Sequence, residues 1–214
     1  MGVEVWAIVV AAGEGRRFGL PKQFAVLGGR PVIEWSLDAS RSVARGIVAV
    51  VPESSLGSSN IGKGADRVIA GGPTRASSVR RGLAAVPENA EVVVVHDAAR
   101  PLASRELFRA VVDAVVAGAD GAIPGVAVVD TIKRVRGSRV VETLDRTELV
   151  AVQTPQAFRA ELLRRAHDGE PEATDDAGLL EALGSRIVVV PGEYHNLKLT
   201  SPDDLVIAER WSDR

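Results

Sequence analysis

The stretch Ala11-Ala12-Gly13-Glu14-Gly15-Arg16-Arg17-Phe18-Gly19-Leu20-Pro21-Lys22-Gln23 holds the residue types that grip a polyphosphate. Its glycines let the backbone come close to a ligand and turn N–H groups toward phosphate oxygens. Arg16 and Arg17 add planar guanidinium forks, and Lys22 adds a compact positive charge. For the stretch taken alone, the plain alternative is a glycine-rich turn bearing solvated basic side chains. A dinucleotide-binding loop matches less well: Gly13 and Gly15 fit it, but Phe18 stands where its third glycine permits close helix–strand packing. Glu34, near the place of a ribose-binding acid, is a partial match only. Further on, Gly57-Ser58-Ser59-Asn60-Ile61-Gly62-Lys63-Gly64 mimics a P-loop with Gly64 in place of the magnesium-binding Ser or Thr, and reads as a flexible connection.

A second group of chemistry-bearing residues, His96-Asp97-Ala98-Ala99-Arg100-Pro101, follows the valine run Val92–Val95. Asp97 stands where a carboxylate can meet ribose, metal or substrate hydroxyls. Arg100 has two readings, a ligand contact or a pairing with Asp97 that shapes the loop. A lone histidine at a strand end, such as His96, reads as packed or hydrogen-bonded rather than as a metal ligand. No metal ligand is assigned in the chain, because magnesium is served better by phosphate oxygens and water than by a dedicated cage. The chain has no cysteine, which excludes disulfides, thiolate metal sites and a cysteine nucleophile.

The elements that must carry these loops alternate along the chain. Val5–Val10, Ile47–Val51, Arg67–Ala70, Val92–Val95, Ile187–Val190 and Leu197–Leu199 read as strands. Helices are expected from Pro31 at a first helical position to about Ala44, and from about Thr74 to Ala85. Further helices run from the cap Ser104 to near Gly118, over Arg159–His167 and Thr174–Leu183, and after Ser201-Pro202-Asp203-Asp204. Ala122–Val129 and Val140–Thr143 look extended, and the basic segment Lys133–Arg139, with Gly137-Ser138 at its tip, makes the pair a candidate β-hairpin. Strands rich in valine between helices predict an α/β fold, a mostly parallel sheet with helices on both faces, as one domain over 1–214 with a β-arm at about 130–150. Ligands of such sheets sit beyond the carboxyl ends of the strands, which points to Ala11–Gly19 and His96–Pro101.

The 214 residues, 46% hydrophobic and 25% charged, suffice for a sizeable core. A net charge of -2 without a long Lys/Arg run argues against a nucleic-acid partner. Val5–Ala12 is too short to span a membrane and has Glu4 in place of a basic leader, and Trp6 breaks the myristoylation pattern after Met1-Gly2. A cytoplasmic protein is expected.

The block Ala11-Ala12-Gly13-x-Gly15-x-Arg17-x-Gly19 with Pro21-Lys22-Gln23 resembles the signature of the 2-C-methyl-D-erythritol 4-phosphate cytidylyltransferases. The resemblance continues in order through Gly71-Gly72-x-x-Arg75-x-x-Ser78-Val79, His96–Pro101, Asp130-Thr131-Ile132-Lys133, Thr154-Pro155-Gln156, Thr174-Asp175-Asp176-Ala177 and Leu197-Lys198. Three positions depart from the pattern: the single Leu20 between Gly19 and Pro21, Pro73 after Gly72, and Gly178 where Ser is common.

The resemblance implies a Rossmann-like nucleotidyltransferase fold and a reaction of CTP with a small sugar-alcohol phosphate. It further implies Mg2+ held mainly by the CTP phosphates, and a homodimer in which the β-arm reaches into the neighbour's site. Arg17, Lys22, Arg146 and Lys198 would be catalytic, the first two at the α-phosphate and the last two on the acceptor phosphate. Ala11, Ala12, Gly13, Gly15, Arg16, Gly72, Arg75, Ser78 and Asp97 would bind the nucleotide. Asp97, Arg100, Asp130, Thr131, Thr154 and Thr174 would join Arg146 and Lys198 around the acceptor. Plain structural readings stand beside several of these: solvated surface charge for Arg146 and Lys198, an ordinary helix start for Arg75, and a helix cap for Thr174. A ribitol 5-phosphate cytidylyltransferase and a non-catalytic CTP sensor are the alternatives, and a nicotinamide-binding oxidoreductase is the weakest.

Overall fold

The computed structural model describes residues 2–13, 24–57 and 61–212. In chain order the first half contains β1 (Val5–Val10), β2 (Val26–Leu27), β3 (Arg30–Pro31), α1 (Val32–Ser40), β4 (Gly46–Val51), β5 (Arg67–Ala70), α2 (Arg75–Ala85), β6 (Val92–Asp97) and α3 (Arg105–Val116). The second half contains β7 (Gly121–Ala127), β8 (Lys133–Arg136), β9 (Arg139–Thr143), β10 (Val150–Val152), β11 (Gln156–Arg159), α4 (Ala160–Ala166), α5 (Asp176–Ala182), β12 (Ile187–Pro191) and α6 (Pro202–Ser212).

An 8-stranded sheet forms the centre, with β5, β4, β1, β6, β11 and β7 side by side in that order. β10 and β12 both pair with β7. β1 is parallel to both β4 and β6, whereas β11 runs antiparallel between β6 and β7. Alternation of side chains across the pleat divides the apolar residues between two layers. Val5, Ala7 and Val9 of β1 join Ile33, Leu37, Phe108 and Val111 of α1 and α3 on one face. Trp6 and Ile8 join Val79, Leu83, Leu163 and Leu180 of α2, α4 and α5 on the other. Both faces of β1, β4 and β6 are therefore dry, which is why these strands read as unbroken apolar runs. A smaller cluster, Leu27, Val32, Leu199 and Ala208, fastens α6 and the preceding segment beside α1.

Helix starts follow the expected chemistry. Thr74 and Ser77 form a capping box on α2, and Ser104 accepts the Leu107 N–H at 3.0 Å to open α3. Four expectations are corrected. Pro31 lies just before α1, not in its first turn, and the helix ends at Ser40 rather than near Ala44. The hairpin is built from β8 and β9 around Gly137-Ser138, because Gly121–Ala127 is committed to β10, β11 and β12 inside the main sheet. Asp175, not Thr174, caps α5, accepting the Gly178 N–H at 3.1 Å. Leu197–Leu199 is not a strand: its in–out alternation is real, with Leu199 buried, and its backbone is held in a loop, where the Leu199 N–H donates to Ala99 O at 2.8 Å.

Candidate active site

Strand order reverses at β1. The chain moves from β1 outward through β4 to β5, then returns to place β6 on the opposite side of β1. Val10 is thereby registered with Val50 on one side and Asp97 on the other. Beyond these partners the backbones diverge into Ala11–Gly13 and Ala98–Arg100, and a crevice at such a switch point is the natural ligand site of an open α/β sheet.

Close packing shapes one wall of this crevice. A Cβ on Gly71 would lie 2.2 Å from Ala12 Cβ, so only glycine lets the end of β5 approach the end of β1 this closely. Ser78 is buried, and its Oγ accepts the Gly72 N–H at 3.1 Å and donates to Thr74 O at 2.9 Å. Its hydroxyl fixes the Gly72–Thr74 turn.

Asp97 is the hub of the site. Its Oδ1 accepts from Arg75 Nε at 3.1 Å and its Oδ2 from Lys198 Nζ at 2.6 Å. Arg75 in turn donates from Nη1 to Asp176 Oδ2 at 2.8 Å, leaving Nη2 without a hydrogen-bond partner among the described residues. Burial works to raise the Asp97 pKa, but the charges and hydrogen bonds of Arg75 and Lys198 overcome it and hold the carboxyl well below the usual range. Burial opposes the Arg75 cation, and the two carboxylates outweigh it, so Arg75 stays charged. The expected Arg75 and Lys198 are thus brought together on one carboxylate. Of the two readings of Arg100, the pairing with Asp97 is not found, because Arg100 donates instead to the carbonyls of Asn196, at 2.7 Å, and Val152.

A neutral hydrogen-bond network holds the hub in place. Thr154 Oγ1 accepts the Asp97 N–H at 3.0 Å and lies 3.2 Å from His96 Nδ1. His96 Nε2 is 3.2 Å from Arg100 O, and a carbonyl can only accept, so Nε2 carries the proton and Nδ1 accepts from threonine. Burial, partly opposed by Asp97, lowers the His96 pKa to about 4, which keeps the ring neutral. Asn196 Nδ2 donates to Thr154 O at 2.9 Å and to Gln153 Oε1 at 3.2 Å, anchoring the segment that delivers Lys198.

Asp130, Thr131 and Arg146 lie on or beside the β8–β9 arm and are exposed, as is Thr174 before α5. Arg146 donates to Val129 O and, among the described residues, forms no hydrogen bond or ion pair with the Asp97 hub. Gly15, Arg16, Arg17 and Lys22 lie outside the described residues. Sequence reasoning missed Asp176 as a partner of Arg75, and His167, Gln153 and Asn196 altogether. Asp176 had a signal in its motif block, but Gln153 and Asn196 are ordinary amides whose roles exist only through long-range contact.

Residues 5–213 match the family described as 2-C-methyl-D-erythritol 4-phosphate cytidylyltransferase. The chain belongs to this family. A cytidylyltransferase of this name from Rubrobacter xylanophilus is 48% identical over 214 residues, covering 95% of this chain and 92% of its own. Two solved structures cover 100% of both chains: the 4-diphosphocytidyl-2C-methyl-D-erythritol synthase of Anaerococcus prevotii, with a TM-score of 0.86 at 32% identity, and the cytidylyltransferase of Thermus thermophilus, with 0.83 at 36%. The sheet is accordingly the Rossmann-like nucleotidyltransferase fold of the cytidylyltransferase family, and the Asp97 hub lies among the motif blocks that marked the resemblance.

Proposed function

We propose that the protein transfers the cytidylyl group of CTP to 2-C-methyl-D-erythritol 4-phosphate, releasing pyrophosphate and forming 4-diphosphocytidyl-2-C-methyl-D-erythritol for non-mevalonate isoprenoid synthesis. Family membership across residues 5–213 carries this reading, and the convergence of Arg75, Asp97 and Lys198 at the switch point supports the roles that follow.

The acceptor phosphate loses its second proton near a pKa of about 6 and is already a nucleophile at neutral pH. One of its oxygens forms a bond to the α-phosphorus of CTP, and the bond from that phosphorus to the bridging oxygen of the β-phosphate breaks. Pyrophosphate leaves with the electron pair. No proton need move, so positioning and cationic stabilisation are the catalytic task. The backbone of Ala11, Ala12, Gly13 and Gly15, with Arg16, approaches the triphosphate, while Arg17 and Lys22 stabilise charge at the α-phosphate. Gly72, Arg75 and Ser78 border the cytosine, Arg75 by its guanidinium and Ser78 by fixing the turn. Lys198 is partly exposed while tethered to Asp97, so its ammonium is available to the acceptor phosphate without losing its orientation. Arg100 and Thr154 act from behind, through Asn196 and through Asp97 and His96. Asp130, Thr131 and Thr174 border the acceptor.

Mg2+ would be carried by the CTP phosphates and water, neutralising their charge. Both Asp97 oxygens are ion-paired and, among the described residues, no group of three or more His, Asp or Glu converges. The ion pairs on Asp97 suit an ion brought by the nucleotide. The arm, with Val135, Val140 and Val141 all exposed, suits a homodimer in which the neighbour covers it and receives Arg146. A cytoplasmic location is part of the proposal; among the described residues no helix is long and apolar enough to cross a membrane.

The test is pyrophosphate release from CTP, magnesium and methylerythritol phosphate, beside a Lys22→Ala variant. Release that needs the acceptor and collapses in the variant supports the proposal. Release only with ribitol 5-phosphate moves the substrate, and CTP binding with no release from either acceptor favours a sensor.

A further inference from the structure

Arg75 is gripped from a second side that the transfer chemistry does not use. Asp176, whose side chain is 1% exposed, receives Arg75 Nη1 at 2.8 Å on Oδ2 and faces His167 Nε2 at 3.0 Å on Oδ1. His167 is itself buried at the end of α4. A carboxylate this deep is tolerated only when its oxygens are paired, and here the pairing points toward the nucleotide subsite.

The segment between α4 and α5 is clipped along α2 at further points. Arg80 donates to Pro171 O at 2.9 Å and to Glu172 Oε1 at 3.3 Å, and Thr74 Oγ1 donates to the same Glu172 oxygen at 2.9 Å. Asp175 holds the start of α5 by accepting from Gly178 N at 3.1 Å and Gln156 Nε2 at 3.2 Å, which fixes the direction of its neighbour Asp176.

We infer that His167 and Asp176 are positioning residues for the nucleotide subsite. His167 fixes the rotamer of Asp176, and Asp176 with Asp97 holds two nitrogens of the Arg75 guanidinium. The plane of that guanidinium is then set, and with it the direction of Nη2 and the balance of Asp97 between Arg75 and Lys198. The inference rests on the proposed use of CTP and adds a buttress on α4 and α5 to it.

The experiment measures CTP affinity by calorimetry without acceptor, together with KM, kcat and melting temperature, for His167→Phe and His167→Gln. Phenylalanine keeps the ring's bulk and removes the hydrogen bond, whereas glutamine can place a donor where Nε2 lies. His167→Phe is expected to weaken CTP binding about 5-fold, His167→Gln to remain within about twofold of the native chain, and the loss to vanish in an Arg75→Gln background. Unchanged CTP affinity in His167→Phe beside a lowered melting temperature would overturn the inference, as would an equal loss in both backgrounds. Should His167→Phe not fold, Asp176→Asn, which matches the native shape, carries the same readouts. A chain that binds CTP but transfers nothing to methylerythritol phosphate defeats the proposed function and leaves the buttress measurable. A chain without CTP affinity defeats both.

Discussion

Asp97 and Lys198, 101 positions apart in the sequence, meet at 2.6 Å on the edge of the crevice where strand order reverses. The same carboxylate holds Arg75 with its other oxygen, so one buried charge orients two cations, one from α2 and one from the segment before α6.

Asp97→Asn keeps the shape and removes that charge. Turnover is expected to fall on the order of 10²-fold, because two preorganised donors lose their common anchor. Pyrophosphate release at saturating CTP and acceptor measures it, and native-like turnover would deny Asp97 its role as hub.

Acid should weaken the fold over a defined window. The His96 pKa drops from 6.5 to about 4 on burial, so the folded chain binds fewer protons than the unfolded one between those values. Stability attributable to His96 is complete above the unfolded pKa and is lost as pH falls toward 4, by about 3 kcal/mol at most. Asp97, also lowered on folding, adds loss in the same direction below the ordinary aspartate value. Urea midpoints measured from pH 7 to 4 should decline, and less steeply in His96→Gln; equal slopes would remove His96 from the account.

Gly71→Ala would force apart two strand ends, since the new Cβ would fall 2.2 Å from Ala12 Cβ. CTP KM is expected to rise about 10-fold, and the overpacking to destabilise by about 1–3 kcal/mol. An unchanged KM would show that Ala12 moves freely and does not shape the nucleotide site.

The arm offers a test of subunit sharing. If Arg146 serves the neighbouring site and Lys198 its own, Arg146→Ala and Lys198→Ala are each nearly inactive. An equal mixture, unfolded and refolded together, should recover about a quarter of native activity, because half the dimers then hold one intact site. No recovery, with mixed dimers verified by mass, would place both residues in one subunit's site.

Much of this architecture was legible from local pattern. β1, β4 and β6 are buried on both faces, so their apolar runs announced them, and Ser104 marked its helix by cap chemistry alone. β10 and β11 were not legible: Val150–Val152 is exposed and only three residues long, and Gln156–Arg159 has only two apolar residues, between polar ends. Within the site, Arg75, Asp97 and Lys198 stood out as motif residues. What joins them did not, because the Arg75–Asp176 and Asn196–Thr154 contacts span long stretches of chain and leave no periodic trace.

Lys198 also sits next to a latch. Its neighbour Leu199 is fully buried with Leu27, Val32 and Ala208 in a cluster separate from the two large cores. Lys198 is thus on a short leash whose far end is apolar. Trimming Leu27 or Ala208 would slacken that leash and detune the lysine while leaving the main sheet packed, so a defect in chemistry can originate where no chemistry occurs.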